Sequence, residues 1–214
     1  MSEAIELTDD ALLRRMMAGD EEAFTLLYRR RHPSIFRFAM HMSGNVAVAE
    51  DVTQDVFMTL IRDPKRFDPA RGSVAGFLLG VARNHLLKRW EQDRRAVPLA
   101  DDADELGRTL AGNTRSGNGN GNATGNGNGT IHSSHDLFTS LETVARVRQA
   151  LRSLPENYRE AVVLCDLEEM SYEEAAEALD CPVGTVRSRL HRARALLLEK
   201  LREAVVPRRA AVGL

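Results

Sequence analysis

Two cysteines and 5% aromatic residues in a chain of 214 leave several protein classes without material. Two thiols cannot build a disulfide framework, and neither Cys165 nor Cys181 suggests a disulfide in a reducing compartment. No apolar run approaches the length of a membrane span, and the N-terminus lacks the basic-then-apolar order of a signal peptide, so a cytoplasmic protein without membrane insertion is expected. An excess of basic charge is also missing: the formal net charge is −2. That argues against a protein that coats DNA nonspecifically, because such binding scales with the number of phosphates neutralised. Strand-like alternation is absent. What is present is 43% hydrophobic residue content, mostly at helical spacing, which suits an all-α chain of two small helical domains.

The richest stretch runs from Met170 to Arg194. Ser171 and Glu174 have capping-box spacing, so a helix should begin at Tyr172. Ala175, Ala176 and Leu179 give it a narrow apolar stripe whose small side chains let another helix cross closely. Asp180-Cys181-Pro182 then ends it. A second helix from about Val183 past Ala195 repeats Val186, Leu190, Ala193 and Leu197 at the spacing of a buried face. Gly184, Ser188 and His191 point away from that stripe, flanked by Thr185, Arg187 and Arg192. This outward surface has no acid. Small residues at its start let the backbone approach a major groove, and arginines reach guanine edges or phosphates. A basic, solvated helix is the alternative for the arginines alone. The capping box, short turn and arginine-bearing second helix together favour a helix-turn-helix.

The N-terminal half also reads as helices. Asp20 can cap one carrying Ala23, Phe24, Leu27 and Tyr28, and Pro33 should restart or kink the path into Ile35, Phe36 and Ala39 up to Gly44. From Asn45 another helix carries Val48, Val52, Val56, Phe57 and Leu60 inward. Its outer side presents Glu50, Asp51, Gln54 and Asp55, suited to a basic partner helix or simply to solvent. Arg62 to Gly72 is broken by prolines and glycine into a loop. Ser73 can cap a helix that buries Val74, Phe77, Leu78, Val81 and Ala82, with Arg83, Asn84, Lys88 and Arg89 along a basic edge extended by Arg94 and Arg95. An Asn beside arginines can read an exposed base edge, and an open loop can enclose a base removed from the stack. An Asn merely tolerated on a helix surface is the alternative.

Leu154-Pro155 through Arg194 resembles the C-terminal promoter-binding domain of bacterial RNA polymerase sigma factors of the extracytoplasmic-function type, and Asp180 to Arg189 matches the recognition-helix motif. The resemblance implies that Gly184, Thr185, Arg187, Ser188 and Arg192 contact the upstream (−35) promoter element, with His191 on the same outward face. Ala49 to Phe57 is similar to the sigma segment that docks on the coiled coil of the largest catalytic subunit of core RNA polymerase. By that likeness Glu50, Asp51, Gln54 and Asp55 are polymerase-binding candidates. Gly76 to Asn84 resembles the motif for the downstream (−10) element and strand opening, which implies DNA roles for Arg83, Asn84, Lys88 and Arg89. Phe77 stands where the family frequently has tryptophan, and another aromatic should fill that core site.

Between the halves, Ala111 to Thr130 is dominated by Gly and Asn and cannot bury enough apolar area to order itself. The resulting division is an N-terminal domain over 1–96, a flexible linker over 97–134, a helix-turn-helix domain over 135–206 and a tail over 207–214. Asp101, Asp102, Asp104 and Glu105 form an acidic cluster, either solvated or, by resemblance, threading the polymerase's RNA-exit path. After the linker, Leu137, Leu141, Val144, Val147 and Leu151 mark a helix. Tyr158, Val162 and Cys165 should pack beneath the helix-turn-helix. His132 and His135 are too few to make a metal site. No nucleophile, base and oxyanion arrangement surrounds either cysteine, so no catalytic residue, cofactor or metal is expected. The expected protein is a non-enzymatic sigma factor that binds core RNA polymerase and promoter DNA, with an anti-sigma partner implied by the family. A stand-alone helix-turn-helix regulator is the alternative, but it leaves the N-terminal resemblance unexplained.

Overall fold

The computed structural model describes residues 7–96 and 134–205, with side chains described over 7–95 and 143–202. The Gly/Asn-rich segment, the acidic cluster, His132 and the tail lie outside the described residues, as do the side chains of His135, Leu137 and Leu141. Eight α-helices and no strand are found among the described residues.

In the N-terminal half, α1 (Asp9–Met17) leads into α2 (Glu21–Ser43), which Asp20 caps by accepting the Ala23 N–H at 3.0 Å. Pro33 neither restarts nor ends α2; a single helix of 23 residues runs through it. The apolar stripe explains the continuity: Ala23 and Leu27 before the proline, and Ile35, Phe38, Ala39 and Met42 after it, are buried in one core. Gly44, at φ 68°, ends the helix in the left-handed conformation. Asn45 caps α3 (Val46–Arg62) by accepting from the N–H groups of Ala47 and Val48. Ser73 caps α4 (Val74–Ala96) by accepting the Gly76 N–H at 3.1 Å. The loop between α3 and α4 holds one short turn of tight helix, Pro64–Arg66.

The C-terminal half has four helices, as the spacing of its breakers predicts. They are α5 (Ser134–Arg152), α6 (Glu156–Val162) opened by Pro155, α7 (Tyr172–Ala178) and α8 (Val183–Val205). A wide helical turn, Val163–Leu167, continues α6. The capping box on α7 is complete: the Glu174 N–H donates to Ser171 Oγ, and the Ser171 N–H donates back to the Glu174 carboxylate. Asp180, at φ 49°, makes the turn into α8, a conformation that Asp tolerates better than most residues.

The larger of two apolar cores crosses between the halves. Leu12, Leu27, Phe38, Val56, Leu60, Leu78 and Leu86 are continuous with Val163, Leu164, Met170, Ala175, Leu179 and Val186. A second cluster of Leu151, Leu154, Ala161, Val162, Leu190 and Ala193, flanked by Tyr158 and Cys165, lies beneath the helix-turn-helix. Burial of each such large side chain stabilises by about 1.5–3 kcal/mol before entropy is counted. The shared core therefore holds the two halves together.

Candidate nucleic-acid and polymerase interfaces

The outward face of α8 is open. Gly184, Arg187, Ser188, His191 and Arg192 are exposed and Thr185 is half-buried, while Val186, Leu190 and Ala193 are buried beneath them. A Cβ on Gly184 would meet open space, so neither packing nor backbone conformation demands glycine there. The Arg187 guanidinium lies 5.5 Å from the centroid of the Tyr172 ring, a cation–π contact that steers the side chain without neutralising it. Ser188 Oγ donates to the Thr185 carbonyl. Arg189 turns inward instead, half-buried beside Cys181 Sγ.

Glu50, Asp51, Gln54 and Asp55 all lie on the exposed side of α3. Two of the acids also have partners on α4: Asp51 Oδ2 accepts from Arg89 Nη1 at 3.0 Å, and Asp55 lies 3.7 Å from His85. Beside them Phe24, Tyr28 and Phe57 cluster, with Tyr28 and Phe57 centroids 4.6 Å apart, and Met58 and Ile61 are exposed. The α3 surface is therefore an acidic edge next to an apolar one.

The downstream-element candidates on α4 are less accessible as a set. Asn84 and Lys88 are exposed, but Arg83 Nε donates to Glu160 Oε1 at 2.6 Å and Arg89 is held by Asp51. Next to Asn84 lies a groove of about 320 Å³ between the loop and α4, with Arg66, Arg71 and Phe77 on one side and Glu177, Ala178 and Asp180 of the C-terminal half on the other. Phe77 fills its aromatic position by packing on Phe67, centroids 5.7 Å apart. Gly72, at φ 152°, allows the loop to pass so close that Glu177 Oε2 occupies the place of a Cβ.

Ser34, Arg37, Arg159, Glu160 and Glu168, all at this contact, escaped the sequence reading. Glu160 is 2% exposed; burial raises its carboxyl above the usual range, and the Arg83 guanidinium opposes that rise. The Glu168 carboxylate, 3% exposed, accepts two hydrogen bonds from Arg37, at 3.0 and 2.7 Å, and one from Ser34 at 2.7 Å. Arg159 donates to the Met42 carbonyl at the end of α2 and to those of Arg152 and Leu154. The one available cue was Glu160 beside the apolar run Ala161 to Leu164. Glu174 adds a further bridge, because the Ser73 hydroxyl, and then its own cap, hold its carboxyl below the ordinary value.

Burial, then Asp166, push the Cys165 thiol up to about 11, which disfavours the thiolate a nucleophile needs. No group of three or more metal-ligating side chains occurs among the described residues. No helix there is long and apolar enough to cross a membrane.

An all-helical chain with a capped helix-turn-helix, a second basic helix and an acidic helix edge is a DNA-binding protein built to share its DNA with a larger partner. The family model of sigma-70 region 2 matches residues 27–96, and that of sigma-70 region 4 matches residues 145–197. The chain is 34% identical over 208 residues to the ECF RNA polymerase sigma-E factor of Escherichia coli K12, covering 94% of this chain and 97% of the relative. It is 30% identical over 206 residues to the sigma-E factor of Haemophilus influenzae, covering 92% and 97%. Among solved structures, CnrH in complex with the cytosolic domain of CnrY aligns with TM-score 0.63 and 23% identity over 92% of this chain and 99% of that one. Sigma factor RpoE of Bartonella quintana, in complex with the anti-sigma factor NepR, aligns with TM-score 0.60 and 23% identity over 84% and 96%. The chain belongs to the extracytoplasmic-function sigma factors of RNA polymerase. It is a non-enzymatic initiation factor that binds core RNA polymerase and directs it to promoters.

Proposed function

We propose that the chain divides promoter recognition between residues 1–96 and 135–206, with 97–134 as the connecting linker and 207–214 as a tail. In this reading Glu50, Asp51, Gln54 and Asp55 meet a basic helix of core polymerase, and the adjoining Tyr28, Met58 and Ile61 add apolar contact. Arg83, Asn84, Lys88 and Arg89 serve the downstream element, with the groove beside Asn84 receiving an unstacked base. Gly184, Thr185, Arg187, Ser188, His191 and Arg192 read the upstream element from the major groove.

The observation that carries this assignment is the outward surface of α8: basic, free of acid, built on a buried stripe, and opened by a glycine that the free protein does not need. The protein acts in the cytoplasm, where its polymerase is, and an anti-sigma factor restrains it, a reading supported by its likeness in fold to sigma factors solved with such partners. Transcription with purified core polymerase on a library of upstream sequences tests it. New start sites sharing two spaced elements are expected. Promoter binding that needs no polymerase would favour a stand-alone regulator.

A further inference from the structure

The arginines that follow one another along the first half of α8 are held in different ways. Arg189 turns inward beside Cys181 Sγ. Arg194 is tied to Asp166, on the wide turn after α6, by two hydrogen bonds of 3.0 and 2.6 Å. Arg187 is exposed and yet steered, its guanidinium 5.5 Å from the centroid of the Tyr172 ring. That ring is itself held in place. Tyr172 opens α7 directly after the Ser171 cap, and its half-buried side chain packs against both apolar clusters. Arg194 stands two turns beyond Arg187 on the same side of α8, so its tie to Asp166 fixes the helix on the side where the ring lies.

We propose that Tyr172 is a positioning residue for recognition of the upstream element: its ring holds the Arg187 guanidinium at the outward face of α8, so that this arginine is ordered before DNA arrives. The inference rests on the assignment of that face to the upstream element. An unrestrained arginine gives up the freedom of a long side chain when it docks, and one held in advance avoids most of that loss, which is up to about tenfold in affinity. A carboxylate would restrain Arg187 too, but would neutralise it, as Asp166 does Arg194. The electron-rich face of a ring attracts the cation without supplying a counter-charge, so Arg187 stays able to grip a phosphate or a guanine edge. If packing were the whole role of Tyr172, any side chain of its shape would serve. Positioning of Arg187 requires an electron-rich ring.

The test varies the electrons of the ring at nearly constant shape. In full-length protein, Tyr172→Phe is the reference, and progressively fluorinated phenylalanines are placed at the same position; fluorine withdraws density from the ring face and weakens its hold on a cation. Transcription with core polymerase is read at limiting protein on templates with and without the upstream element. The part that depends on the element should fall stepwise along the series, to about three- to tenfold below Tyr172→Phe, while core-polymerase affinity and thermal unfolding stay level. In the Arg187→Ala background the series should be flat. A flat series in protein that keeps Arg187, or the same decline after Arg187→Ala, overturns the proposal, because the ring would then act through packing or another group. Arg187→Ala in the same assay separates this from the promoter reading. If that change weakens use of the element and the series is flat, the positioning role alone fails; if it leaves use of the element unaltered, the DNA role of Arg187 fails with it.

Discussion

The basic faces of α8 and α4 are both lined with arginine, yet they are in opposite states. On α8, Arg187 and Arg192 are exposed, and the nearest partner of Arg187 is an aromatic ring. On α4, Arg83 is tied to a buried glutamate, Arg89 to Asp51, and His85 lies near Asp55. A basic helix face therefore announces affinity for anions without saying which anion holds it. In the proposed assignment, DNA meets exposed arginines on α8, whereas on α4 it competes with the protein's own carboxylates.

The sharpest way to break this contrast is to remove one arginine from each face. Arg83→Ala leaves the Glu160 carboxylate buried and unpaired, and should lower stability by about 3 kcal/mol at neutral pH, measured by urea unfolding. Burial raises the folded pKa of Glu160, so the folded state holds a proton more readily than the unfolded chain, and stability falls as pH rises through the folded value. The loss in Arg83→Ala should accordingly shrink as pH is lowered toward that raised pKa. A pH-independent loss, or a change within about 0.5 kcal/mol like that of an ordinary surface site, would mean the ion pair is not a buried one.

Arg187→Ala is the matching change on α8. It should leave unfolding and core-polymerase binding nearly unaltered while weakening upstream-element use by about 1–3 kcal/mol, read as transcription from templates with and without that element. Loss of polymerase binding in this variant would remove Arg187 from the DNA contact. Ser171→Ala probes the support rather than the face. It abolishes the capping box and should cost about 1 kcal/mol in thermal or urea unfolding, with weaker upstream-element use following from a frayed α7. Asp51→Asn should have the smallest effect on folding, within about 0.5 kcal/mol, because the Asp51 and Arg89 side chains are both about half open to solvent, which screens the pair. Its effect belongs in a titration against core polymerase, where affinity should fall; unchanged affinity takes Asp51 off the docking surface.

The legible part of this molecule is the part whose partners are near in sequence. Asp20, Ser73 and Ser171 each cap the helix expected of them, because a cap and its N–H are three residues apart. The stripe Val186, Leu190 and Ala193 shows the buried side of α8, and so its opposite, at a fixed angle per residue. Pro33 left a restart or a kink open for the complementary reason: its local effect on a helix does not say whether the chain continues, and the apolar residues on both sides, which share one core, decided for a single helix. The small residues of α7 were legible as a site of close crossing, but α4 as well as α8 crosses them.

The sequence by itself determined α3, α4, α7 and α8, the caps at Asp20, Ser73 and Ser171, the helix-turn-helix and the directions in which Asp51, Asn84 and Arg187 face, since each follows from spacing within a turn or two. Only the tertiary structure decided which of those faces stay open. Arg83 meets Glu160 across 77 residues, Arg159 meets the end of α2 across 117, and Arg37 meets Glu168 across 131. No periodicity connects such pairs. They form because the two halves bury a common apolar core, which carries a few polar side chains out of water with it, and a charge so buried is retained only where folding has brought its counterpart within reach.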